Sequence, residues 1–224
     1  MDSSTTTTVA SAGRREQASA ELRARLVEAA LVEFANHGFE GASTRAIAQR
    51  AGAHQPQINY HFASKDELWK AVLLQLLAEL DAEIRIEPDT EPRAAMEIVI
   101  RALVTIAARR PELNRIMIQE GTAPSGRLDW LVETQVARRA GQLRALWEQL
   151  VAEGSAAPVP TDLVYHVVVG ASSLLHANAP EARLLGVEPT DPAVVEAHAD
   201  AMVALFLPWP PTPQSTTPEK RSTR

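Results

Sequence analysis

The stretch Gln55-Pro56-Gln57-Ile58-Asn59-Tyr60-His61 gathers three side-chain amides and a phenol within seven residues. An amide offers a donor and an acceptor together, which suits the base edges exposed in a major groove. Around it, residues 41–65 hold Arg45, Arg50, Lys65, His54 and His61 and no acid; the acids stop at Glu40 and resume at Asp66. The chain as a whole carries a net charge of −6. A basic window inside an acidic chain is a candidate anion-binding surface. Other chemistry finds little support. Cysteine is absent, so disulfides, thiolate zinc sites and cysteine nucleophiles are excluded. The six histidines have no short metal-ligand spacing, and no Gly-rich phosphate loop or nucleophile elbow occurs. The carboxylates are scattered along helical faces. No enzyme, cofactor or metal site is expected.

The elements that must position these residues read as helices. Length and balance (224 residues, 46% hydrophobic, 22% charged) suit one medium domain or two small ones. Leu22, Leu26, Val27, Ala30, Leu31 and Phe34 form a stripe at helical spacing, closed by His37-Gly38. Ser43 or Thr44 caps a short second helix over 45–50. Ala51-Gly52-Ala53 is a turn, with Gln55 expected at the N-cap of a third helix and Pro56 at its first position. Ser64-Lys65-Asp66-Glu67 is a capping box opening a fourth helix. Ala46, Ile47 and Ile58 can pack inward. The second and third helices therefore have the spacing of a helix-turn-helix. That pair alone also fits many helical hairpins.

Further helices follow over roughly 95–109, 113–117, 127–153, 162–177 and 192–207, about nine in all, with no convincing strand alternation. Residues 1–15 are Ser/Thr-rich and are expected to form a disordered arm. From Pro208 to residue 224 a Pro-rich, polar tail is expected. The N-terminus has no apolar core and no run is long enough to span a bilayer, so a cytoplasmic protein with no membrane role is expected.

Residues 20–75 resemble the N-terminal domain of the TetR/AcrR family of transcriptional regulators. The resemblance rests on Phe34 through Gly38, Thr44-Arg45-Ala46-Ile47-Ala48, Ala51-Gly52, and Asn59-Tyr60-His61-Phe62 through Ser64-Lys65-Asp66-Glu67-Leu68, in order and at family spacing. It implies an all-α fold: a three-helix helix-turn-helix DNA-binding domain over 16–64 and a larger helical effector-binding and dimerisation domain over 65–207, joined by the helix 65–85. It implies that Thr44 meets a phosphate at a helix N-terminus and that Arg45 reaches a base or phosphate. Gln55, Pro56, Gln57 and Asn59 would face base edges, and Tyr60, His61 and Lys65 would bind phosphates. Asn59 departs from the family, which often has an aromatic there; an asparagine can bond adenine instead. Arg50 reads as solvated or ion-paired.

The resemblance also implies an effector pocket among the fifth to eighth helices. Met96, Ile100, Leu103, Met117, Glu120, Trp130, Trp147 and His166 are its candidate lining, although each could equally be ordinary core. The helices near 162–177 and 192–207 are apolar around most of their circumference and rich in small residues, which predicts a homodimer through a shared four-helix bundle. The expected function is a ligand-responsive repressor, released from a palindromic double-stranded operator by a small apolar or aromatic effector. The alternatives are an activator or a non-DNA-binding helical interaction module.

Overall fold

The computed structural model describes residues 4–207, with side chains from residue 15 onward. Every regular element among them is helical. In chain order they are α1 (Ser4–Gly41), α2 (Thr44–Arg50), α3 (Gln55–His61), α4 (Lys65–Glu83), α5 (Pro92–Arg109), α6 (Pro111–Glu120), α7 (Gly126–Leu131), a π-helical turn (Val132–Val136), α8 (Ala137–Ala152), α9 (Thr161–Ala177), α10 (Ala179–Leu184) and α11 (Pro192–Phe206). None is long and apolar enough to cross a membrane among the described residues.

Two differences from the expected helices have local causes. The long helix expected over 127–153 is α7 and α8 joined by the π turn, a one-turn widening that an apolar stripe cannot reveal. The helix α10 was not expected at all. A third difference is at the start: α1 begins at Ser4, inside the segment expected as a disordered arm. Once nucleated, a helix gains a backbone hydrogen bond for each residue added, so it propagates through residues with little apolar content. The tail expected over 208–224 lies outside the described residues.

The chain divides into two compact units. The first takes the chain up to Asp81 together with Arg110–Leu131; the second takes Ala82–Arg109 and the chain from Val132 on. Thus α6 and α7 and most of α4 join the N-terminal helices, a later division than the expected one at 64/65. The cause lies in α4, whose Leu68, Trp69, Val72, Leu73 and Leu76 are buried. In the first unit Leu26, Ala30 and Phe34 of α1, Ile47 of α2, Ile58 of α3 and Ile116 of α6 are buried as well. In the second unit α5 packs against α9 and α11, and α8 against α5 and α9. Met96, Ile100, Val104, Trp147, Leu150, Val164, Val168 and Met202 form its core.

Candidate nucleic-acid interface

The recognition segment is held by contacts that use few of its own outward side chains. Ser43 is the N-cap of α2, its hydroxyl accepting from the Ala46 N–H at 3.3 Å. Its own N–H donates to the buried Glu33 carboxylate of α1 at 3.2 Å. The Arg25 Nε of α1 donates to the Ala51 carbonyl at 3.2 Å, fixing the turn from the other side. Gly52 sits in that turn at φ +65, a conformation that side chains with a Cβ rarely adopt.

The start of α3 differs from the expectation by one residue. His54 is the N-cap, Gln55 the first helical residue and Pro56 the second. The cause is Gln57, whose Oε1 accepts from the His54 N–H at 2.8 Å and holds His54 extended. Gln57 is thus half-buried and engaged in the cap, whereas Gln55, Pro56, Asn59 and Tyr60 are exposed, Tyr60 at 81%. Gln55 Nε2 donates to Thr44 Oγ1 at 3.2 Å, joining the first turns of α2 and α3 into one polar edge. Arg45 and Arg50 are exposed on α2. Ile58 and Phe62 are buried, and Arg23 of α1 lies 4.9 Å from the centre of the Phe62 ring. His61 is half-buried with its ring edge-on to Tyr60 at 5.1 Å. Lys65 donates to the Glu40 carbonyl at 3.3 Å and lies 4.8 Å above Phe39. A phosphate would draw it from a weak neutral partner toward a charged one.

A clamp that the sequence reading missed supports this surface from behind. Arg127 stacks over Phe39 at 3.7 Å and donates to the Glu120 carboxylate at 3.2 Å. Glu120 is 9% exposed and also accepts from the Ser125 hydroxyl. Phe39 lies directly after Gly38, where α1 is kinked at φ 67 before the chain enters α2. No local spacing signals a pairing between residues so far apart in the chain.

The eight expected effector residues are divided between the two units. Met96, Ile100 and Trp147 lie in the core of the second unit with Leu103 packed against it. His166 is exposed on α9, edge-on to Tyr165 at 5.3 Å. Met117, Glu120 and Trp130 belong to the first unit. There Glu120 serves the clamp, and Trp130 stands edge-on to Trp69 at 6.0 Å with Lys70 5.4 Å above its ring. The indole Nε1 of Trp147 is buried without a hydrogen-bond partner.

A short helix braced by its neighbours, presenting amides, a phenol and cations, defines this protein as a helix-turn-helix DNA-binding regulator with a separate helical unit. Comparison with known proteins gives the same class. Residues 26–72 match the model of bacterial regulatory proteins of the tetR family, and residues 92–208 match the C-terminal domain of the HTH-type transcriptional dual regulator CecR. The chain is 35% identical over 99 residues to the HTH-type transcriptional repressor SCO4008 of Streptomyces coelicolor, spanning 44% of this chain and 49% of that repressor. It is 29% identical over 169 residues to the HTH-type transcriptional regulator RutR of Escherichia coli, spanning 71% of this chain and 76% of RutR. In fold it is similar to AibR, solved in complex with isovaleryl coenzyme A and operator DNA, with a TM-score of 0.69 at 18% identity over 84% of this chain and 98% of AibR. The chain belongs to the TetR family of transcriptional regulators, a family of regulators and not of enzymes.

Proposed function

We propose that this protein is a homodimeric, ligand-responsive repressor acting in the cytoplasm, which binds a palindromic operator through α3 and leaves it when a small apolar or aromatic effector binds. The observation that carries the DNA reading is the outward set Gln55, Pro56, Asn59 and Tyr60 on a helix whose inward Ile58 is buried, as is Phe62 just past its end. Gln55 and Asn59 read base edges, Gln57 contributes chiefly through the cap, and Thr44, Arg45, Tyr60, His61 and Lys65 hold phosphates. Blocking a promoter requires occupancy alone, which favours repression over activation; the repressor SCO4008 is in keeping with it.

The dimer reading rests on α9 and α11. Leu163, Val167, Gly170, Ala171 and Leu174 are exposed along one face of α9, and a Cβ at Gly170 would meet nothing within 4 Å. Ala197, Ala201, Ala204 and Leu205 are exposed on α11. An apolar face of that extent on two adjacent helices favours a second copy as its cover.

The effector reading narrows to the second unit. Met96, Ile100 and Trp147 share one core cluster with Leu103 packed against it, the Trp147 indole N–H is buried there without a partner, and a buried donor left unpaired costs about 1–3 kcal/mol. An effector with one acceptor on an apolar body would satisfy it, while the flexible Met96 gives way. The complex of AibR with isovaleryl coenzyme A and operator DNA is a precedent for such a pairing of ligand and DNA in this fold.

Fluorescence anisotropy with a fragment from upstream of the protein's own gene tests the reading. Saturable binding that a random fragment does not match supports it. Equal binding to both fragments would leave only a non-specific DNA binder.

A further inference from the structure

Two histidines in the second unit meet ring to ring in an arrangement that neither DNA binding nor effector binding uses. His176 of α9 is 1% exposed, and His198 of α11 is half-buried. His176 Nδ1 lies 3.1 Å from the Pro189 carbonyl oxygen. His176 Nε2 lies 3.1 Å from His198 Nδ1, and His198 Nε2 lies 3.1 Å from the Ala171 carbonyl oxygen. The three contacts form one chain that ties α9 to α11 and to the segment leading into α11.

Counting hydrogens shows what this chain needs. A carbonyl oxygen only accepts, so each end requires an N–H from a ring. The middle contact, between two ring nitrogens, requires a third hydrogen. Two neutral imidazoles carry one N–H each, so two hydrogens serve three contacts. With both spent on the carbonyls, the inner nitrogens turn lone pairs on one another. One added proton completes the chain, with a single charge shared by two rings. A second added proton would set two N–H groups head to head and two cations in contact, which like-charge repulsion opposes.

We propose that the His176–His198 pair is a proton-binding site in the seam between α9 and α11, which holds one shared proton and is forced open by a second. Its surroundings fit a single charge. Burial holds both rings below the ordinary histidine range, and for His176 the neighbouring ring adds to that effect. Most charged side chains of the elements packed around the pair have partners of their own. Arg101 of α5 pairs with Glu97 and with Asp200 of α11; Arg144 of α8 pairs with Asp162 of α9; Arg183 of α10 pairs with Glu188. Arg139 of α8 acts on Tyr165 of α9, Asp191 caps α11, and Glu196 of α11 lines a surface groove with Arg101 and Arg109. Among the described residues, no group of three or more His, Cys, Asp or Glu is placed to hold a metal ion.

The sign of the pH effect follows. In the unfolded chain both rings take up protons near pH ~6.5. The folded pair takes up fewer over the same range, because burial depresses both values and the neighbouring ring depresses that of His176 further. The unfolded state therefore binds more protons below that pH, and stability falls as the solution is acidified. Both helices carry the apolar faces assigned above to the dimer. On that reading, acid loosens the dimer and weakens operator binding.

Long-range proton–nitrogen NMR of the uniformly 15N-labelled full chain, with EDTA present, follows the four ring nitrogens from about pH 8 to about pH 4.5. The expected result is one shared step, in which both rings shift together and gain one proton between them, with no second step before unfolding. Two independent full steps near the ordinary histidine value, with the fold intact, would overturn the proposal. So would a spectrum at neutral pH that changes when EDTA is omitted and zinc supplied, since a metal would then occupy the inner nitrogens. A second measurement compares urea midpoints at about pH 7.5 and about pH 5.5. The His198→Ala variant, altered at a half-exposed position, should lose less than half as much of its midpoint on acidification as the wild type; an equal loss would overturn the proposal. Sedimentation at both pH values separates this site from the dimer reading. A monomer at both pH values with the shared step intact would remove the dimer and leave the proton site standing.

Discussion

Arg127 stacks its guanidinium 3.7 Å over the ring of Phe39 and so presses a residue of the α6–α7 segment onto the corner that leads from α1 into α2. The same guanidinium neutralises the buried Glu120 carboxylate. The DNA-binding helices are thereby braced by a part of the chain far downstream of them. Arg127→Ala should destabilise the first unit by about 2–3 kcal/mol, through the lost cation–π contact and a buried carboxylate left with a hydroxyl alone. Arg127→Lys should recover part of that, because lysine keeps the charge but not the planar stack. Urea unfolding measures both; a loss below about 0.5 kcal/mol for the alanine variant would make the clamp irrelevant to stability.

The amides of α3 should separate by role. Gln57→Ala removes the acceptor that caps His54 and should cost about 1 kcal/mol of stability while base preference survives. Gln55→Ala and Asn59→Ala, at exposed positions, should leave stability nearly unchanged and relax base choice, since a good amide–adenine pair gives about 1–3 kcal/mol of discrimination. Binding-site selection from random DNA with each variant checks this. An unchanged consensus for both exposed variants would remove them from base reading.

Tyr60→Phe and Lys65→Ala should weaken binding to all sequences about equally, because phosphate contacts position without specifying. Only the lysine change should flatten the plot of log affinity against log salt, by roughly one unit. A salt slope untouched by Lys65→Ala would mean that Lys65 stays on the Glu40 carbonyl in the complex.

Leu174→Glu and Ala201→Arg place charges on the exposed apolar faces of α9 and α11. In a dimer seam each would be desolvated without a partner, so sedimentation should show a folded monomer. Dimers from both variants would put the interface elsewhere.

An apolar acceptor-bearing ligand that releases DNA should also change the fluorescence of Trp147, whose indole N–H lacks a partner. Trp147→Phe keeps much of the ring and deletes the donor, so it should weaken that ligand about five- to twentyfold, on the scale of one hydrogen bond, and leave DNA affinity intact. Equal ligand affinity in the variant would take Trp147 out of the site.

The helix-turn-helix was legible because its signals are local. The Ser43 and Ser64 caps and the Ala51-Gly52 turn each lie within a few residues of what they determine. The role of Gln57 was not, because an amide at that position can cap a helix or face a base with the same spacing. Glu120 was grouped with the pocket because a lone acid among apolar residues suggests a ligand partner; the structure supplies Arg127 instead, a pairing set by how α6 and α7 turn back. The His176–His198 chain depends on two helices meeting at one height, which no periodicity encodes. The π turn at Val132–Val136 is hidden because Leu128, Val132 and Val136 keep a four-residue spacing that an unbroken α-helix would also show.

The central claim is that two copies of α3 read a palindrome. A hydroxyl-radical footprint of the protein on DNA from upstream of its own gene tests it most directly. The account predicts two symmetric protected half-sites, their centres about one helical turn (~34–36 Å) apart or more, both lost together in Asn59→Ala at a concentration that saturates the wild type. A single half-site, uniform protection along the fragment, or an unchanged footprint in the variant would contradict it.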